Sequence, residues 1–250
     1  MLYAAMTFWL LVIMFSAWGV HAMWSRLLKP RAVNMILLPG TLVAQLGHVL
    51  GLLLTGNEVR QVSLMGSDES GEPEVAMPER TRVPVIEPVL IGMLPLIACG
   101  ASLYFAARQW GGVFIQNLSP DSGLAQSLPT SVGGFFGTLR AMITLAEQML
   151  SAIVSTNLLH WRNALFLYLA ICLTVRMAPI NGNHRGAIGA TLLAGLLIAL
   201  ISSLIGTPEK LVANSWPILG FAVGMLMLLM LASLVASGVI GLIRVLAKSR

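Results

Sequence analysis

The residues of this chain best able to do chemistry sit inside apolar runs. Gln45 and His48 lie three apart in the stretch from Pro39 to Gly56 (PGTLVAQLGHVLGLLLTG). Polar side chains at membrane depth are costly, and they face a protein interior or a wet cavity. An imidazole there can ligate a metal or hydrogen-bond to a neighbouring helix. One imidazole alone rarely holds zinc, because a catalytic zinc takes about three protein ligands plus an open position. A glutamine amide has nearly the size of a glutamate but cannot take up a proton. A second candidate stretch runs from Ala178 to Ala187 (APINGNHRGA) and carries Asn183 and His184. Helical spacing predicts that Pro39 and Gly40 punctuate the chain, that Thr41 caps a new helix, and that Gly56 ends it about four turns later.

The two stretches resemble the site-2-protease-like family of intramembrane zinc metallopeptidases. Several branches of that family read P-G-T-x-x-H-E-x-x-H at the start of such a helix, with an apolar run ending in Gly. The flank Pro39, Gly40, Thr41 matches here, but Ala44 stands at the first ligand position and Gln45 at the general-base position. Only the second histidine is present, as His48. In the resembling branch a third ligand, an Asp, lies in a stretch reading roughly A-P-S-x-x-D-x-x-G-A; Asn183 holds that position here. H-E-x-x-H works by placing two imidazoles on one helix face around zinc while the carboxylate activates a bound water. A methyl and two amides cannot do this. Amides in place of carboxylates suit a site without metal, since a buried unpaired carboxylate is strongly penalised.

What the resemblance implies is a catalytically degenerate pseudoprotease, acting as a binding or structural subunit of a membrane complex and needing no cofactor. Its partners would be the lipid bilayer and a membrane protein or extended peptide segment. Two alternatives are an active intramembrane protease with a rearranged site, in which His48 and His184 hold zinc, and a transporter or proton-relay subunit using Glu147, Arg140 and His48. The resemblance also implies a bacterial or archaeal inner (cytoplasmic) membrane.

The composition agrees with a membrane protein. The 250 residues are 57% hydrophobic and 10% charged, with mean hydropathy +0.85. A soluble domain carries roughly a quarter charged residues. The pI of about 9.8 does not indicate nucleic acid, because the basic residues flank apolar runs instead of forming a basic-aromatic patch. Cys99 and Cys172 fall within apolar segments and read as small buried hydrophobes. The N-terminus lacks the basic region of a secretory signal and reads as a retained span.

The fold class expected is all-α: one integral membrane domain over 1–250, with about seven transmembrane helices. Candidate spans cover 3–24, 35–56, 85–107, 133–155, 162–179, 186–206 and 214–245. The fourth contains Arg140 and Glu147, so six spans plus one interfacial helix is the alternative. With seven spans, the basic residues after the first span, after the fifth and at the C-terminus share one side. The positive-inside rule makes that side cytoplasmic and puts the N-terminus outside. The polar loop 57–84 opens with an alternating stretch that predicts a short strand or hairpin over 57–65, and it reads as a contact for a partner or a plain connection. Asn117 begins a weak glycosylation match in the loop 108–132, on the side assigned to the cytoplasm.

Overall fold

A computed structural model describes residues 2–57, 86–112, 114, 124–125, 127–178, 189, 192, 195 and 208–248. Among these the chain is all-helical, without strands. The elements are α1 (Leu2–Leu27), α2 (Pro30–Ile36), α3 (Leu38–Leu54), α4 (Ile86–Trp110), α5 (Val132–Ser155), α6 (Trp161–Val175) and α7 (Pro208–Lys248). The expected strand over 57–65 and the sixth span over 186–206 fall almost wholly outside the described residues.

Among the described residues, three helices are long and apolar enough to cross a bilayer: Ala4–Leu27, Leu90–Trp110 and Trp216–Ile243. The second expected span, 35–56, differs from the expectation of one new helix opening at Thr41 behind Pro39 and Gly40. It is two helices, α2 and α3, meeting at Leu37 with a bend of 77°. Pro30 and Pro39 explain both starts, since proline is tolerated in the first turn, where its missing N–H has no helical partner anyway. α5 is not among the long apolar helices. Its exposed side carries Arg140 and Glu147, while Leu145, Ala146 and Met149 are buried. α6 is apolar but only 15 residues long, about 22 Å at 1.5 Å per residue.

α7 is the central element. Its residues from Phe221 to Met227 are buried on every side, the mark of a helix enclosed by others. α1 and α5 both pack on it, and Gly224 lets it approach Leu145 and Met149 of α5. Two hydrogen-bonded levels align α1 with α7. Trp9 Nε1 donates to the Ala125 carbonyl (3.0 Å), and Trp216 Nε1 donates to the adjacent Leu124 carbonyl (2.8 Å). Further along both helices, Trp24 Nε1 donates to Ser233 Oγ (2.8 Å). The two levels are similarly spaced on the two helices, so α1 and α7 run in the same direction.

α3, α4 and α6 form the other packed group. α3 runs antiparallel to α4: Gly47 meets Leu94 and Pro95, and Gly51 meets Ile91. A methyl on Gly47 would lie 2.6 Å from the Leu94 carbonyl oxygen and 2.8 Å from Pro95 Cα, so glycine is what lets the backbones approach. α4 is also antiparallel to α6, with Cys99 beside Arg176 at one end and Phe114 on Phe166 at the other (ring centroids 5.2 Å). Both cysteines are buried thiols without a disulfide, as the sequence predicts.

Candidate functional site

α3 buries two adjoining rows of side chains. One row is small: Gly40, Ala44, Gly47 and Gly51. The other is larger and mostly polar: Thr41, Gln45, His48 and Leu52. Residues three and four apart share a helix face, so Ala44, Gln45 and His48 are brought together on one buried side, as their spacing predicts. Gln45 is 2% exposed and His48 8%. The Gln45 amide is unusual: among the described residues neither its Oε1 nor its Nε2 has a hydrogen-bond partner. A buried amide left unpaired costs about 1–3 kcal/mol.

The ends of α3 divide between agreement and correction. Gly56 does end the helix: it takes a left-handed φ of 73°, Gly56 N–H donates to the Leu53 carbonyl and Asn57 N–H to the Leu52 carbonyl. That pair of bonds is the Schellman arrangement, which glycine favours because it lacks a Cβ. Thr41, expected as the N-terminal cap, is not one. The helix begins at Leu38 after Leu37, without a side-chain cap, and Thr41 Oγ1 donates back to the Leu37 carbonyl (3.0 Å).

A polar cluster surrounds the break between α2 and α3. Arg176 Nη2 donates to Asn34 Oδ1 (2.7 Å), and His21 Nε2 lies 3.4 Å from the same oxygen. At the break itself, the Ile36 carbonyl accepts from Tyr168 Oη (2.8 Å) and Cys172 Sγ (3.4 Å). Those donors serve a carbonyl near the C-terminal end of α2, where the helix leaves its last acceptors unpaired. Gly40 lies against the Cys172 carbonyl and the Arg176 Cγ, which packs the start of α3 onto the end of α6. Residues from α1, α2, α3 and α6 thus converge at one bend. Sequence reasoning passed over this cluster. His21 reads as interfacial and Arg176 as a flanking charge. The available signal was Asn34, buried at 4% exposure in the otherwise apolar segment that follows Arg31.

Asn183 and His184 lie outside the described residues. Among the described residues, no three His, Cys, Asp or Glu side chains come together in a group able to hold a metal ion. The donor set on α3 does not fit a zinc centre: Ala44 offers a methyl and Gln45 a neutral amide, so one imidazole is all that helix supplies. Glu147 and Arg140 stand on the exposed side of α5, and among the described residues no ion pair joins them. α5 packs chiefly on α7, whereas α3 packs on α4 and α6. The three residues of the relay alternative are therefore spread over two packed groups.

Comparison with known proteins adds nothing to this geometry: no protein-family model, curated protein or solved structure matches the chain.

Proposed function

We propose that this chain is a catalytically degenerate relative of the site-2-protease-like membrane metallopeptidases, working as a binding or structural subunit of a membrane complex. The observation that supports the reading is the unpartnered Gln45 amide, buried beside Ala44 and His48 at the positions where the resembling family keeps its zinc-binding and water-activating groups. Such an amide reduces stability, and polar groups retained inside a membrane helix serve a purpose other than packing. The partner would be an extended or transmembrane segment of another protein. The N-terminus would lie outside and the C-terminus in the cytoplasm of a bacterial or archaeal inner membrane. The shared direction of α1 and α7 supports this, since it puts Arg26 and Lys29 at the same end as Arg244 and Lys248.

The test is restoration. Ala44→His, Gln45→Glu and Asn183→Asp are combined, and zinc in the purified protein is measured by mass spectrometry. Zinc bound by the triple variant and absent from the natural chain is the expected result. Stoichiometric zinc in the natural chain, lost in His48→Ala, would refute the degenerate reading. No zinc in a folded triple variant would remove the proposed kinship.

A further inference from the structure

We infer that α2 and α3 form a re-entrant hairpin, entering and leaving the bilayer on the same side. The argument rests on the directions of the helices. α3 follows α6: its first residues move along α6, from Ile36 at Tyr168 and Cys172 to Gly40 at Cys172 and Arg176. α6 in turn follows α1 and α7. Its Phe166 meets Phe221 (centroids 5.7 Å), near the Trp216 level. Its other end, Arg176, reaches Asn34 beside His21, near the Trp24 level. α3 therefore runs the same way as α1. Two consecutive segments with the same direction need a return between them, and α2 supplies it. Asn34 sits back beside His21, before the end of α1. A helix pair that simply continued across would run α3 opposite to α1. That would place Phe166 many turns from Phe221.

The bend is tolerable at depth because it is enclosed by protein. Irregular backbone inside a membrane survives only where protein or water satisfies it. Here Tyr168, Cys172 and Arg176 supply the donors.

The returning hairpin puts Asn57 on the side of Lys29, and α4 then carries the chain to the side of Trp9. The segment 124–125, bonded to Trp9 and Trp216, lies there. α5 leads from that side to the start of α6 on the same side, as suits a helix too polar to count among the spans.

Labelling from the two sides decides. Cys99 and Cys172 are fully buried and provide a silent background. Lys29→Cys, Asn57→Cys and Ser127→Cys are made one at a time. Each is exposed to a membrane-impermeant maleimide in right-side-out and in inverted vesicles, and only protein that elutes as the native species is scored. Asn57→Cys should react in the same vesicles as Lys29→Cys, and Ser127→Cys in the opposite ones. Asn57→Cys reacting together with Ser127→Cys would overturn the hairpin. Should Asn57→Cys resist the reagent, Ser70→Cys reports the same boundary with the same two outcomes. Neither depends on zinc or on a partner, so this result is separable from that of the restoration experiment.

Discussion

Replacing Gln45 with leucine should make the protein more stable. Both amide atoms are buried without a partner among the described residues, and an unmet buried amide costs about 1–3 kcal/mol. Leucine has a similar length and no polar atom, so Gln45→Leu removes that cost without opening a cavity. The opposite sign follows if the amide is bonded to a neighbouring helix, because such bonds inside membranes contribute about 0.6 kcal/mol on average. Gln45→Glu bounds the other end. A carboxylate at 2% exposure with no cation must ionise at great cost or stay protonated, so this variant should be the least stable. The assay is denaturant unfolding of the three proteins in one detergent, followed by a thermal scan. The predicted order is leucine, then glutamine, then glutamate. A gain of about 1–3 kcal/mol for Gln45→Leu corresponds to a midpoint rise of roughly 2–4 °C per kcal/mol at this chain length. A loss of stability in Gln45→Leu would show that the amide is satisfied, and the main support for the proposed function would fall.

Other substitutions probe the packing around the bend. Gly47→Ala should lower stability by about 1–3 kcal/mol, because its methyl would meet the α4 backbone at Leu94 and Pro95, whereas Gly100→Ala, with nothing within 4 Å, should be neutral or slightly stabilising in the same unfolding assay. Asn34→Leu removes the acceptor for Arg176 and should cost about 1.5–3 kcal/mol, the range for a hydrogen bond to a charged group; an effect below about half a kcal/mol would show that the bend does not depend on it. Glu147→Gln should change unfolding by less than about 0.5 kcal/mol, since the side chain is exposed and in no ion pair among the described residues, and a larger loss would restore Glu147 as a working group.

Much of α3 was legible because its signals are local. The two polar residues three apart, the row of small residues and the closing Gly56 follow from helical period and from glycine's access to positive φ. The helical class was legible from apolar run length alone. What escaped is set by distant contacts. The run over 35–56 looks like one span; Pro39 and Gly40 announce a new helix within it, but they point to a start at Thr41 and not to a bend at Leu37. The bend is held by Tyr168, Cys172 and Arg176, more than a hundred residues away. Arg176 shows the same difficulty. A lone arginine after an apolar run reads as a flanking charge, and only the fold turns it toward Asn34. α5 was half legible: Arg140 and Glu147 marked it as the span with an interfacial alternative, and both proved exposed.

The tryptophan bonds at residues 124–125 bear on how the molecule is assembled. Trp9 belongs to α1 and Trp216 to α7, the first and last of the described helices, yet both indoles hold neighbouring carbonyls of one short segment midway along the chain. Until α7 emerges, Trp24 lacks its Ser233 partner and α1 lacks the helix it packs on most. α1 must therefore wait in the lipid while α7 is synthesised. A nascent chain halted before Trp216 should be an early target for membrane quality control.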